Sequence, residues 1–252
     1  MRKYAVRKDN WDIRDLYYKS EAAIAAQKLP KAIDLRPYCS AVVDQGELGS
    51  CTANAIVSGL REYLDIRSDG DGCCAERLSR LFLYWHERRL EGTIDQDAGA
   101  TIRSGMKVLN KIGVCPERLY PYDITKFRDM PSEQAEAEAV SYRIESYRRI
   151  IGLGGVKAAL AEGKPVVLGF LVYESFESDK VGRTGKVTMP DVLREQVLGG
   201  HAVLAVGYRD GWMGRGEVII RNSWGTDWGD QGYCYFPYKM FERDIVFDLW
   251  TY

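Results

Sequence analysis

Apolar side chains in the first half of the chain recur at helical intervals. The repeat that follows Ser50 consists of Ile56, Val57, Leu60 and Leu64. This spacing predicts a helix that begins at or just before Cys51 and buries one face. Residues 79–89 and 101–111 show the same kind of pattern, and Gly113 is expected to end the second of these helices. The first half is therefore predicted to be mainly helical.

The second half consists of short segments rich in Val, Ile and Tyr. After one helical stretch, "GVKAALAEG", come "KPVVLGFLVY", "HAVLAVGYRD" and "GEVIIRNSWG", which we interpret as β-strands. The glycines of "DGWMGRG" favour a hairpin between the last two strands. The pattern predicts an α+β fold, with a helical half at about 45–140 and a β half at about 141–240. A cleft between the two halves is the expected active site.

The first 31 residues are mostly polar, with one helix-like patch, "RDLYYKSEAAIAAQKL". Pro30 and the following "KAIDLRPY" mark a change to more extended chain. We interpret 1–31 as an N-terminal extension and 32–252 as the main domain.

Composition places the chain among globular proteins, because 46% of its 252 residues are hydrophobic. Lys and Arg number 35 against 36 Asp and Glu, and the basic start "MRKYAVRK" is expected to be a solvated terminus. Neither a nucleic acid nor a membrane is therefore an expected partner. The sequence has no apolar stretch of about 18 residues and no secretory signal in its first thirty residues, so a cytoplasmic location is predicted.

Six cysteines are spread along the chain: Cys39, Cys51, Cys73, Cys74, Cys115 and Cys234. They form no C-x-x-C pair, and the chain has two histidines, so neither a metal nor a cofactor is predicted. Cys73 and Cys74 have two possible roles, either in a bridge to Cys39 or Cys115 or as free buried thiols.

The stretch "DQGELGSCTANAIVSGL" places Cys51 between a glycine-rich turn and the first predicted helix. Unpaired N–H groups and the positive end of the helix dipole favour a thiolate at that position. Gly46 and Gly49 allow a sharp turn that would leave the sulfur open to a substrate. Cys51 is thus the candidate nucleophile.

A thiolate nucleophile needs a proton carrier, and imidazole is suited to that role near neutral pH. His86, in "LFLYWHERR", is interpreted as a surface or capping histidine. His201 follows two glycines and opens a predicted strand, which makes it the candidate general acid and base. Asn222, 21 residues later in "IIRNSWGTDWG", is the candidate acceptor that orients its ring.

Two further roles complete the candidate chemistry. The Gln45 side-chain amide and the Cys51 backbone N–H are candidate donors to the oxyanion that forms when a carbonyl is attacked. Trp224 and Trp228 are candidates for shielding the bond between His201 and Asn222 from water.

Together these residues resemble the papain-like cysteine peptidases. Five segments carry the resemblance in the order of the family: "VVDQGELGSCTANA", "DAGATIRSGMKVL", "IGVCPERLYPYD", "GGHAVLAVGY" and "RNSWGTDWGDQGYCYFP". The resemblance implies a helical left half and an antiparallel β-barrel-like right half with the cleft between them. It also implies a cysteine endopeptidase that forms an acyl-enzyme thioester at Cys51, with His201, Asn222 and Gln45 in the roles given above.

The resemblance also implies a substrate-binding set. It consists of Gly99, Ala100, Ile102, Gly169, Gly200 and Trp224. Gly99 and Ala100 would lay backbone groups against a peptide, as an added strand does. Ile102 and Gly169 would favour apolar side chains at the second residue before the cleaved bond.

The sequence departs from the family at three positions. Leu48 and Asp97 stand where the family has two cysteines, so one bridge is expected to be missing. Thr52 stands where an aromatic residue commonly follows the nucleophile, so the packing at the start of the helix is expected to differ.

Three other expectations remain open at this stage. The same residues would serve an acyl transferase or an exopeptidase, or a peptide-binding module without activity. The extension at 1–31 is too short for the helical prodomain of many relatives. Either the enzyme is made in an active form, or the extension is a short pro-segment or cleft-covering segment. We hypothesise that it partly covers the cleft in an intramolecular contact.

Overall fold

The structure is a computed structural model and describes residues 2–20, 29–68 and 76–252. Its first long helix, α1, begins at Cys51, as the sequence predicts, and runs through Cys51–Ala53, Asn54–Arg61 and Glu62–Ser68. The middle part has wide π-helical turns. At Gly59 the helix packs close to the sheet: a Cβ added there would lie only 3.0 Å from the Leu204 side chain of β4. The helix that starts with Cys51 therefore packs directly against the sheet.

Two further helices of the first half are confirmed, each beginning one residue later than predicted. Helix α2 spans Arg80–Glu91 and α3 spans Ile102–Lys111. Ser79 and Thr101 are their N-caps, and each side chain accepts a hydrogen bond from the third residue along. Such caps are worth about 1 kcal/mol each.

The remaining helices are short. They are α4 (Glu133–Ala139), α5 (Gly152–Ala161) and α6 (Asp179–Thr184), with 3₁₀ turns at Arg36–Tyr38, Ile124–Lys126, Val140–Tyr142, Glu174–Glu177, Trp212–Gly214 and Tyr238–Glu242. Helix α5 confirms the prediction made for "GVKAALAEG". Among the described residues, no helix combines the length and the apolar character needed to cross a membrane.

Seven strands form one antiparallel sheet: β1 (Ala32–Asp34), β2 (Arg148–Ile150), β3 (Val166–Tyr173), β4 (Val197–Asp210), β5 (Gly216–Arg221), β6 (Tyr233–Pro237) and β7 (Val246–Thr251). Their order is β2-β7-β3-β4-β5-β6, and β1 pairs with β4. Strands β3, β4 and β5 and the hairpin between the last two confirm the sequence prediction. The sheet also takes β1 and β7 from outside 141–240. Helices packed with one antiparallel sheet give the α+β class that the sequence predicts.

The helix-like patch in the N-terminal extension is not a helix where the structure describes it. Tyr17 pairs with Arg149 of β2 as a short parallel bridge, so this part of the chain is extended. Backbone pairing with the edge of the sheet overrides the local helical preference there. The rest of the patch, residues 21–28, lies outside the described residues, as do Cys73 and Cys74.

The described part of the extension, residues 2–20, is called the N-terminal segment below. A cluster of charged side chains fixes its second half to the sheet. Arg149 binds Asp9, Asp15 and Asp248 at 2.9–3.0 Å. Arg103 of α3 binds Asp15 at 2.6 Å. The side chains of Asp9, Asp15 and Asp248 are at most 7% exposed, so the attachment is a largely buried ionic cluster.

Replacing Asp15 by asparagine is expected to speed tryptic cleavage within residues 2–20 about tenfold. The change leaves two largely buried guanidinium groups short of a carboxylate, and breaking such pairs is costly. Cleavage of a transiently open segment follows the population of its open state. The matched control is Asp12→Asn, because the Asp12 carboxylate binds the adjacent Arg14 on the surface of the segment. Equal cleavage rates in the two variants would contradict this account of the attachment.

Candidate active site

The turn before Cys51 is held against the second half of the chain. Asp44 pairs with Trp224 as an isolated antiparallel bridge, and the Gln45 N–H donates to the Ser223 carbonyl at 2.9 Å. Gly46 adopts a left-handed conformation (φ 63°), which favours glycine in such a turn. These contacts bring the loop of Trp224 next to the start of α1.

Cys51 lies at the first turn of α1 and is fully buried. The backbone N–H groups of Ala202, Thr52 and Cys51 itself are directed at its sulfur. Ala202 follows His201 in β4, so the sulfur lies beside the strand that carries the predicted base. Burial nevertheless raises the pKa of the Cys51 thiol to about 12, and these N–H groups oppose that shift without cancelling it.

The expectation of an ionised, accessible sulfur does not hold in this conformation. The N-terminal helix position does supply N–H groups, as predicted, but desolvation has the larger effect on the pKa. Sequence indicates the helix start; it does not show how completely neighbouring elements exclude water from the sulfur.

His201 and Asn222 are brought together as predicted. The His201 Nε2 atom lies 2.8 Å from the Asn222 Oδ1 atom, and both residues are buried. Among the described residues, no hydrogen-bond partner contacts the other ring nitrogen, Nδ1. Burial lowers the pKa of His201 to about 4, so its ring is neutral near pH 7.

Aromatic side chains enclose the imidazole. Trp224 stacks on the His201 ring at 5.0 Å between centroids, and Trp228 packs against Trp224 at 4.9 Å. Phe170 of β3 contacts the imidazole at its edge, with centroids 5.7 Å apart. The bond from His201 to Asn222 is therefore surrounded by rings, which is the shielding arrangement predicted for the two tryptophans.

The Gln45 side chain is buried and held on both sides. Its Nε2 atom donates to the Leu48 carbonyl at 3.0 Å, and its Oε1 atom accepts from the Ser223 hydroxyl at 2.6 Å. An amide nitrogen carries two protons, so one N–H is left for another acceptor. The side chain is thus fixed at the turn that leads to Cys51.

The predicted substrate-binding residues fall into two groups. Gly99, Ala100 and Gly200 lie along the N-terminal segment, whereas Ile102 is fully buried at the start of α3. A Cβ added at Gly169 would lie 2.4 Å from the Phe247 ring. Phe247 of β7 therefore fills the space beside Gly169. Sequence reasoning missed this residue, because the contact depends on β7 pairing with β3.

The N-terminal segment crosses the site as an extended chain. Ala5 pairs with Gly200 as a parallel bridge, and the Val6 N–H donates to the Gly200 carbonyl at 3.0 Å. On the other side, the Arg7 N–H contacts the Ala100 carbonyl at 3.4 Å. Val6 is 7% exposed.

Three glycines permit this close approach. A Cβ at Gly99 would lie 2.1 Å from the Ala5 carbonyl oxygen, and one at Gly200 would lie 2.3 Å from the Val6 carbonyl oxygen. A Cβ at Gly199 would similarly lie 2.5 Å from the Tyr4 carbonyl oxygen. Gly99 takes the left-handed conformation (φ 67°), which favours glycine. Ala100 does not take that conformation, so an alanine is tolerated at its position.

Side chains of the segment also cover the rings of His201 and Trp224. Tyr4 packs edge-on against His201 at 6.0 Å, and the Arg2 guanidinium lies 4.0 Å from the centre of the Trp224 ring. The segment thus contacts both sides of the predicted cleft.

A hydrogen bond links the two loops that carry Leu48 and Asp97, where the family places two cysteines. The Gly49 N–H donates to Asp97 Oδ1 at 3.0 Å, and the Tyr84 hydroxyl donates to the same oxygen at 2.6 Å. The carboxylate thereby joins the nucleophile turn to the loop before Gly99. Leu48 itself is buried.

Thr52 introduces a polar contact that sequence reasoning missed. Its hydroxyl donates to Glu87 Oε2 at 2.8 Å, and Glu87 is fully buried on α2. Burial raises the pKa of the Glu87 carboxyl well above its usual range, which favours the neutral acid. A smaller side chain after Cys51 leaves room for this contact.

His86 is not the surface residue that its sequence context indicates. It is 2% exposed on α2 and packs against the Phe82 ring at 4.4 Å and the Trp85 ring at 4.9 Å. Burial lowers the pKa of His86 to about 4, so it is a neutral core side chain. Of the cysteines, Cys39, Cys51, Cys115 and Cys234 are free thiols in the described residues.

Comparison with known proteins agrees with this geometry. The family described as "Papain family cysteine protease" matches residues 29–243. An uncharacterized peptidase C1-like protein, L477, of Acanthamoeba polyphaga mimivirus is 40% identical over 248 residues, covering 92% of this chain and 78% of that protein. The crystal structure of xylellain, a cysteine protease from Xylella fastidiosa, is 37% identical, with a TM-score of 0.85 over 98% of this chain and 94% of that one.

More distant structures share the fold. A procathepsin B from Trypanosoma congolense, at 19% identity, superposes with a TM-score of 0.74 over 99% of this chain and 84% of that one. The family match covers most of the chain, and the two nearer relatives span nearly all of it. The chain therefore belongs to the papain family of cysteine proteases, hydrolases that act on peptide bonds.

Proposed function

We propose that this protein is a cysteine endopeptidase whose own N-terminal segment closes the active site. The observation that carries the proposal is the placement of Cys51 beside the strand of His201, with the ring held by Asn222 at 2.8 Å. Cys51 attacks the carbonyl of a peptide bond and forms a thioester. His201 takes the thiol proton and gives it to the leaving amine, and water then hydrolyses the thioester.

The remaining residues support that reaction. Asn222 accepts the Nε2 proton of His201, which leaves Nδ1 free to take the proton from sulfur. The Cys51 N–H and the Gln45 amide would stabilise the oxyanion. Gly99, Ala100 and Gly200 would offer a peptide substrate the backbone groups that the segment now contacts.

The closed state has neutral partners. Burial raises the thiol pKa to about 12 and lowers the imidazole pKa to about 4, so proton transfer from Cys51 to His201 is unfavourable there. Moving the segment away would hydrate both groups and remove most of that desolvation cost. The segment would thus suppress activity in two ways, by occupying the substrate path and by keeping the thiol protonated.

Activity is expected to require the Cys51 thiol specifically. In a Val6→Pro chain, which loses the N–H that pairs with Gly200, Cys51→Ala should reduce hydrolysis of a fluorogenic peptide by at least about 10⁴-fold. Asn222→Ala should lower kcat by about tenfold or more while KM changes little, because it disturbs ring orientation. Cys39→Ala, which removes another free thiol, is the control and should retain activity. Full hydrolysis after Cys51→Ala would refute the proposed nucleophile.

The mode of cleavage has a separate expected outcome. An internally quenched peptide with both ends blocked should be cut, because an endopeptidase needs no free terminus. The products should be the same with and without an added amine. Cleavage that depends on a free end would indicate an exopeptidase, and amide products would indicate an acyl transferase.

Alkylation of Cys51 should report closure through its pH dependence. A raised thiol pKa stabilises the protonated form, so the native chain should react slowly with iodoacetamide up to pH 9 and faster only as pH rises towards about 12. In the Val6→Pro chain, the thiolate should persist at near-neutral pH through pairing with imidazolium. Mass spectrometry of the Cys51 peptide measures both rates. If Cys51 were alkylated at the same rate in both chains at neutral pH, the segment would not control the ionisation of the thiol.

A further inference from the structure

The N-terminal segment places a cation on each of three carboxylates around the site. Arg2 binds Glu177 at 3.4 Å, and Lys3 and Arg7 bind Asp97 and Glu91, respectively. These pairs occur within six residues that also make the backbone contacts with Gly200 and Ala100. The segment therefore shows which side-chain charge each position of the cleft accepts.

Two of these carboxylates are held in place by the body of the protein. Asp97 Oδ1 accepts from the Gly49 N–H and the Tyr84 hydroxyl, while Oδ2 binds Lys3. Glu91 Oε1 accepts from the N–H and the hydroxyl of Thr101, at 2.9 and 3.0 Å, while Oε2 binds Arg7. In each carboxylate one oxygen is fixed by the fold, so the other stays in place without the segment.

The third carboxylate lies near the Trp224 ring. Glu177 binds Arg2 where that guanidinium also covers Trp224. An arginine or lysine of another peptide could make the same two contacts, an ion pair and a cation–π contact. A third position, beside the Trp224 ring that stacks on His201, thus accepts a cation.

Open space adjoins the two fixed carboxylates. A cavity of about 480 Å³ is lined by residues that include Arg7, Glu91 and Thr101, and one of about 420 Å³ by residues that include Lys3 and Asp97. Arg103 also lines the first cavity, but its charge is paired with Asp15. Arg128 lines the second cavity, and its guanidinium lies over the Phe127 ring. A long basic side chain therefore has room to reach either carboxylate.

We propose that Glu91, Asp97 and Glu177 are specificity-determining residues that favour peptides with lysine or arginine in the stretch that occupies the cleft. This proposal rests on the proposed function, because it assigns subsites to the same cleft. Once the segment leaves, the three carboxylates lose their cations, and a basic substrate restores them. Carboxylates in a cleft also raise the local concentration of cationic peptides.

The test uses the Val6→Pro chain and pairs of blocked, internally quenched peptides. The two peptides of a pair differ only by Lys against Gln at one position. At two or more positions kcat/KM should be about fivefold higher for the Lys peptide, the effect of one moderately strong ion pair. Glu91→Gln and Glu177→Gln should each bring that ratio close to one at a single position, a different one for each. In each variant the kcat/KM of the Lys peptide should fall more than the kcat/KM of the matching Gln peptide.

Glu133→Gln is the matched control, because it removes one exposed negative charge from α4, away from the site. It should leave every ratio unchanged. Ratios near one in the Val6→Pro chain, or ratios that survive both Glu91→Gln and Glu177→Gln, would overturn the proposal and leave the acids as anchors of the segment alone.

A binding measurement separates this proposal from the proposed function. The same peptide pairs are titrated by fluorescence anisotropy against a Cys51→Ala, Val6→Pro chain, which needs no catalysis. If the Val6→Pro chain cleaves none of the peptides but the Cys51→Ala, Val6→Pro chain binds the Lys peptides more tightly, the peptidase mechanism is refuted and the preference for basic peptides stands. If the Val6→Pro chain cleaves Lys and Gln peptides with equal kcat/KM and the double variant binds them equally, the preference is refuted and the peptidase mechanism stands.

Discussion

Backbone pairing at the start of β4 is the constraint on which the site depends. Gly199 and Gly200 leave that strand end without side chains, so the backbone of Tyr4, Ala5 and Val6 can approach closely. The Val6 N–H donates to the Gly200 carbonyl there. His201 follows directly and turns its ring towards Asn222 and Trp224. One short stretch of strand therefore serves both the chemistry and its closure.

The charge state of the catalytic pair follows from that closure. A thiol and an imidazole in water would titrate near their ordinary values, and an opposite charge beside each would favour the ion pair. In the closed structure, desolvation moves the Cys51 pKa up and the His201 pKa down, so both moves favour neutral groups. In the proposed mechanism, the helix N-terminus favours the Cys51 thiolate once water or a substrate replaces the segment.

Much of the fold could be predicted because its signals are local. The caps at Ser79 and Thr101, the apolar spacing after Cys51 and the glycine hairpin after β4 each depend on a few neighbouring residues. Residues of the site were predictable for a different reason, since five segments in family order fix Cys51, His201, Asn222 and Gln45 at once.

The features that sequence did not show depend on contacts distant along the chain. Phe247 fills the space at Gly169 only because β7 inserts beside β3, and His86 is buried only because Glu136 and the Phe82 ring cover it. The helical pattern near Tyr17 yields to pairing with Arg149 and to the ionic cluster of Asp9 and Asp15. Such tertiary contacts have no local pattern to reveal them.

We propose that the chain keeps Cys51 and His201 closed beneath its own N-terminal segment. Hydrogen exchange at the Val6 amide tests it most directly, because that N–H donates to the Gly200 carbonyl at 3.0 Å. Peptides that contain Val6 should exchange far more slowly at neutral pH than the same peptides in an unstructured chain. Exchange of Val6 at the unstructured rate, while β3 and β4 remain protected, would contradict it.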